Sequence, residues 1–358
     1  MRIAILGSVA TQIPPIGQAA IETLVNYQAL GLAAKNHQIL LFAPVGSSVS
    51  HPNIQLVPVG RGGTLSGQGK ESEEGELEIG SSYKLRLEIA HLSILLQKLI
   101  DLKDEYDVIL NNLRGEAVIF PVAKLLNKKV FHVMHMPLFD EIASVIKKYQ
   151  TSLIAISIAQ RKAYPDLNYA ATVYNGVDPD LFSFNPKHLD YFLYLGSITP
   201  NKNPAAAVRV CRSLGVSLKI GGRIKDEKYY KKEIEPFVDG TQIQWIGEIT
   251  QEEIIKMYQG AKAFLFPTLW EEPFGLVLIE AMSCGTPVIA YANGAIPEVV
   301  VNGRTGFVIE DNSEEKMMEK MKIIDSINRK NCREHVEKNF TIEKMVEGYN
   351  RALAGISQ

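Results

Sequence analysis

Short apolar runs alternate with stretches of helical periodicity along this chain of 358 residues. The runs at 3–6, 37–43, 107–110, 129–135 and 153–157 each give out into polar or turn-forming residues. Each predicts a strand buried on both faces of a parallel sheet. Between them, 21–35 carries apolar residues at helical spacing, and 83–102 sets Leu85, Ile89, Leu92, Leu95, Leu96 and Leu99 on one stripe. The pattern restarts at 191–195 and continues through 242–247, 263–267 and 288–290, with a helix at 276–282 and helical sequence from 313 onward. Strands alternating with helices predict parallel α/β sheets, and the restart predicts two such domains, as the length allows. The stretch 183–190 is polar and contains Pro186, which places the linker there, between domains at 1–182 and 191–340. The stretch 60–82 is rich in Gly, Ser and Glu with little to bury, and reads as a mobile surface loop.

One unit carries candidate chemistry. After the strand at 263–267, Thr268-Leu-Trp270 leads to Glu271-Glu-Pro-Phe-Gly275, then to the helix, which stops at Gly285 with Pro287 beyond. The turn therefore lies at a helix N-terminus, whose free amides and partial positive charge suit a phosphate. Gly275 lets a ligand approach the backbone. Glu272 stands at the mouth, and Glu280 follows among apolar neighbours, where an unpaired carboxylate is expensive. Such a carboxylate can bridge a vicinal diol. Equally, Glu280 can reach solvent from a polar stripe and Glu272 can be an acid favoured by the helix dipole. Ligands of open α/β sheets bind beyond the strands' carboxyl ends, which singles out Asn111, Asn112 and His135. His132 falls on the opposite face of its strand and reads as structural.

Glu272-x7-Glu280 followed by Ala-Met-Ser-Cys-Gly-Thr-Pro-Val-Ile-Ala resembles the nucleotide-sugar motif of family 4 retaining glycosyltransferases. The resemblance implies a GT-B fold: two doubly wound Rossmann-like domains facing a central cleft, with the C-terminal helix, 341–358, packing back on the first. It also implies that Glu272 contacts the donor sugar, Glu280 holds the ribose, and the amides of Phe274, Gly275 and Leu276 meet sugar and diphosphate. His135-Met-Pro137-Leu resembles the family's His-x-Pro-Leu, whose histidine touches the transferred sugar. Gly196-Ser-Ile-Thr-Pro-Asn-Lys202 resembles its phosphate loop, in which an Arg and a Lys neutralise the leaving diphosphate. Lys202 is present, but Ser197 stands where the Arg is expected. Arg223, at another strand end, is a candidate replacement or a plain solvated side chain. Gly247 lies on a turn of the kind that borders the base. Gly17 remains in the first loop, but Ala19-Ala20 replace the family's glycine pair, and Gly17 can equally be a turn glycine.

The implied activity is metal-independent transfer of a sugar from a UDP- or GDP-sugar to an acceptor hydroxyl, with retention. The donor serves as co-substrate, no cofactor is expected, and the acceptor (sugar, glycan, lipid or small molecule) is unidentified. A nucleotide-sugar epimerase or hydrolase, or a silent nucleotide-sugar-binding subunit, are the alternatives. The formal charge of -2 and lack of basic tracts argue against a nucleic-acid partner. Three widely spaced cysteines fit free thiols and show no metal-ligand pattern. The start goes straight into a strand, and no apolar run is long enough to span a bilayer, so a cytoplasmic protein is expected, with membrane contact possible but not indicated.

Overall fold

The computed structural model describes residues 1–8, 10–17, 19–61 and 82–355. Its contacts divide the chain into two units: Met1–Ile156 with Arg161–Val173 and Met345–Gln358, and Ser157–Gln160 with Tyr174–Lys344. Most of the expected surface loop, 62–81, lies outside the described residues.

The first unit is built on a sheet of β1 (Arg2–Leu6), β2 (Gln38–Val45), β3 (Ile54–Arg61), β4 (Val108–Asn111), β5 (Lys129–Val133), β6 (Ser152–Ala155) and β7 (Tyr169–Thr172). Their order is β3-β2-β1-β4-β5-β6-β7, and every pairing is parallel. The order reverses between β1 and β4, which is where an open α/β sheet parts to admit a ligand. Ile3, Ile5, Leu6, Phe42, Ile109 and Leu153 are almost wholly buried, each worth about 1.5–3 kcal/mol relative to exposure. Of the six stripe residues on the helix Ser82–Asp101, Leu95 and Leu99 are fully buried and Leu92 and Leu96 partly so, while Leu85 and Ile89 are more than half exposed. The predicted stripe therefore meets the core through its C-terminal half alone. The helix Ile342–Leu353 buries Met345, Val346, Tyr349 and Leu353, and Lys35 pairs with Glu347 at 2.6 Å.

The second unit holds β8 (Phe192–Leu195), β9 (Leu218–Gly221), β10 (Ile243–Gly247), β11 (Ala263–Phe266), β12 (Val288–Tyr291) and β13 (Gly306–Ile309). They run parallel in the order β10-β9-β8-β11-β12-β13, with the reversal between β8 and β11. The two doubly wound sheets match the fold class expected from the sequence.

The segment 174–190 groups with the second unit and does not act as a free linker. Arg329, 7% exposed, donates to the carbonyls of Asn185, Gln259 and Ala261. Arg333 donates to those of Pro179 and Phe182. Gln259 adds a bond to the Ser183 carbonyl at 2.9 Å, and these side chains together hold the polar stretch to the domain; polarity alone could not distinguish a solvated linker from a chain held this way. Glu298 does the same for 157–160, accepting from the amides of Ile158 at 2.8 Å and Ala159 at 2.6 Å and from the Tyr174 hydroxyl.

Candidate donor site

The second unit brings its candidate residues together at the carboxyl ends of β8, β9, β10 and β11. The helix Leu276–Ser283 begins directly after Gly275, which has φ +86 and no side-chain cap. A Cβ there would lie 2.8 Å from Leu278 Cδ1, so the turn needs glycine. Leu278 N donates to Gly275 O at 3.0 Å, and the amides of Leu276 and Val277 have no acceptor within the helix. Phe274 is 2% exposed and packs against Tyr174 and Phe340 at ring separations of 6.0 and 5.8 Å. Its ring is a core anchor for the turn.

Glu272 and Lys202 meet each other. Lys202 Nζ donates to Glu272 Oε2 at 2.5 Å, and Trp270 Nε1 donates to the same oxygen at 2.9 Å. Both charged side chains are largely covered, at 23% and 12% exposure. The ammonium also lies 5.0 Å from the Trp270 ring and 5.5 Å from that of Phe266, which favours a cation. Oε1 of Glu272 remains for another donor. The loop carrying Lys202 is held to the Trp270 loop by Leu269 N donating to Asn201 O at 2.8 Å and by the Thr268 hydroxyl donating to the same carbonyl. Gly294 sets the other side: a Cβ there would sit 2.3 Å from Glu272 O, and its φ is +65.

Glu280 is half-buried and accepts from the Tyr258 hydroxyl at 3.2 Å. Burial pushes its carboxyl up to about 7, against which the Tyr258 hydrogen bond acts. It is therefore neither a freely solvated side chain nor an ion-paired one. Ser197 is half-buried, and its carbonyl accepts from Tyr194 Oη at 3.1 Å; it supplies no charge. Arg223 is exposed, and its guanidinium has no partner among the described residues. Its carbonyl accepts from Ile198 N at 2.9 Å, which ties the Arg223 loop to the Ser197 loop. Gly222 permits this close passage, since a Cβ there would meet Gly196 O at 2.1 Å. Gly247 has φ +73 with nothing within 4 Å of a Cβ position, leaving open space beside it.

His135 and Gly17 belong to the first unit. His135 follows β5, and its Nε2 lies 2.8 Å from Asn112 Oδ1 after β4. The amide oxygen only accepts, so the ring proton sits on Nε2 and Nδ1 is left as an acceptor. Burial first, then His132 and Arg114, hold the ring down to about 3, and it is neutral at ordinary pH. His132 is buried with Nδ1 3.2 Å from Asn111 O, as a structural role requires. Asn111 shapes the following turn by accepting from Leu113 N. Gly17 is exposed, with φ +83 and open space around it. Sequence reasoning passed over Trp270, Gly294 and Tyr258. Trp270 stood in a quoted stretch, but contacts made across loops leave no periodicity to read.

Two parallel Rossmann-like sheets, the second with this strand-end site, define the GT-B class of fold. Over 99% of its length the chain is similar to the sucrose-phosphate synthase of Thermosynechococcus elongatus, with TM-score 0.75, 19% identity and 98% of that chain covered. It is likewise similar to the Anabaena protein HepE in complex with UDP and glucose, with TM-score 0.72, 16% identity and 99% of both chains covered. Residues 182–339, which include every second-unit residue of this site, match the family model described as glycosyl transferases group 1. In sequence the chain is 28% identical over 200 residues to an uncharacterized glycosyltransferase of Methanocaldococcus jannaschii, covering 53% of this chain and 55% of that protein. It is 30% identical over 129 residues to the O-antigen chain mannosyltransferase B of Escherichia coli, covering 34% and 33%. The chain thus spans about half the length, or less, of these curated relatives.

Proposed function

We propose that this protein is a retaining glycosyltransferase that moves a sugar from a nucleotide diphosphate donor to an acceptor hydroxyl without a metal ion. The observation that carries the reading is the convergence of Lys202, Trp270 and Glu272 on the free N-terminus of the helix Leu276–Ser283. Lys202 and the amides of Phe274, Gly275 and Leu276 supply positive charge where the departing diphosphate gains negative charge. Glu272, held through one oxygen by Trp270, offers the other to sugar hydroxyls. Glu280, accepting from Tyr258 on one side, takes the ribose diol on the other. His135, with Nδ1 free, is the first unit's sugar-contacting residue. In the transfer the bond from the anomeric carbon to the phosphate oxygen breaks and a bond to the acceptor oxygen forms on the same face. The acceptor's proton passes to the leaving phosphate. The solved complex of HepE with UDP and glucose supports a uridine donor, with a GDP-sugar next in line.

Ser197, bringing no charge to the phosphate loop, favours a second reading: a nucleotide-sugar-binding subunit without turnover. In the transferase reading Arg223, unpaired and beside that loop, makes up the missing cation. The test is product formation from a panel of UDP- and GDP-sugars with simple sugar and lipid acceptors, with and without chelator, with the product's anomeric configuration read by NMR. A retained configuration, indifference to chelator and a raised donor KM in Arg223→Gln are the expected results. Nucleotide binding without turnover with any acceptor would select the silent subunit. Sugar released or epimerised without an acceptor would select the hydrolase or epimerase.

A further inference from the structure

A depression of about 870 Å³ opens in the first unit beside the starts of β5 and β6, the end of the sheet away from its strands' carboxyl ends. Its wall carries Lys124, Lys128, Lys129, Lys147 and Lys148, with Asp166 as the single carboxylate among the lining residues. In a chain of formal charge -2 this is a local accumulation and not a reflection of composition. Lys128 is committed, donating to Tyr106 O at 2.6 Å. The other four form no ion pair among the described residues; Lys124 and Lys148 lie 5.9 Å from the Tyr149 ring and Lys129 lies 4.6 Å from that of Phe131. The ends of the helices Phe120–Leu125 and Asp140–Tyr149 give Lys124, Lys147 and Lys148 a dipole reason to be there. That reason covers neither Lys129, at the start of a strand, nor the shortage of carboxylates. Next to Lys124, Leu125 is 85% exposed. An apolar side chain in open solvent beside unpaired lysines suits the boundary between water and lipid head groups.

We propose that this depression receives the phosphate head groups of an anionic lipid surface, with Leu125 entering the head-group layer at its edge. A basic hollow of this kind matches several phosphates at once, and each lysine near such a surface adds to the attraction. None of the donor-site residues lines it, so the proposal does not depend on the transfer chemistry.

The experiment is co-sedimentation of the full chain with vesicles of phosphatidylcholine alone or mixed equally with phosphatidylglycerol. It compares wild type, the variant Lys124→Gln/Lys129→Gln/Lys147→Gln/Lys148→Gln, and a charge-matched variant Lys228→Gln/Lys231→Gln/Lys232→Gln/Lys338→Gln in the second unit. These are exposed side chains, and a thermal melt checks that each variant folds. Wild type is expected to partition onto the anionic vesicles only, and raised salt to release it. The first variant should lose on the order of a hundredfold to a thousandfold in partitioning, the second little, and Leu125→Ser should weaken binding without changing its salt dependence. Equal losses in the two lysine variants, or no binding to anionic vesicles, would overturn the proposal. So would binding of inorganic pyrophosphate by a wild type that ignores vesicles, because the site would then serve a soluble anion.

Discussion

Replacing Glu280 by glutamine should stabilise the second unit while removing its hold on a nucleotide. Burial raises the carboxyl from 4.5 to about 7, a change that corresponds to about 3 kcal/mol. Partial exposure at its outer edge reduces this to about 2 kcal/mol. Because the folded value lies above the unfolded one, the native state keeps the proton longer. Below about pH 4.5 both states are protonated and the group costs nothing. As pH rises through 7 the native carboxylate must ionise in its covered position beside Tyr258, and the stability is lost. Glutamine has no such cost and can still accept from Tyr258. Both tryptophans, Trp245 and Trp270, lie in the second unit, so their fluorescence during urea unfolding reports that unit alone. The expected result is equal stability of the two proteins near pH 4.5 and a gain of about 2 kcal/mol for Glu280→Gln at pH 8. Parallel stability curves across that window, or a variant less stable at pH 8, would refute the burial argument.

Other substitutions probe the remaining parts. Lys202→Met should lower kcat on the order of 10²–10³-fold and cost about 1–3 kcal/mol of stability, since it leaves Glu272, 12% exposed, with Trp270 as its remaining donor among the described residues; steady-state rates and urea curves check this. Gly294→Ala places a methyl against the Glu272 backbone at positive φ and should destabilise the second unit by at least about 2 kcal/mol, read from tryptophan fluorescence. Arg329→Met removes the guanidinium donor from the carbonyls of Asn185 and Ala261 and should cost about 2–5 kcal/mol in the same assay. His135, held down to about 3, should show no titration in its ring NMR signals between pH 5 and 8, and Asn112→Ala should change its tautomer signature.

The strands were legible because they are buried on both faces, so that 107–110 or 288–290 are nearly unbroken apolar runs. β3, with Gln55 and Pro58 inside it, breaks that pattern and escaped notice. The boundary expected at 183–190 falls inside the second unit, because polarity looks the same whether water or the side chains of Arg329 and Gln259 satisfy the carbonyls. At the site, Glu272, Glu280, Gly275 and Lys202 stand out by spacing and by their place at helix and strand ends. The Lys202–Glu272 pair and its Trp270 partner do not, because they join loops 70 residues apart. The five lysines of the first unit are scattered from 124 to 148 and form no run; only the fold gathers them.

The central claim is that the second unit binds a nucleotide diphosphate through Glu280 and the turn at Gly275. Isothermal titration of UDP and GDP into wild type and Glu280→Ala, with and without chelator, tests it most directly. The account predicts binding selective for one base, indifferent to chelator and lost in the variant. No heat from either nucleotide at millimolar concentration, or equal binding by the variant, would contradict it.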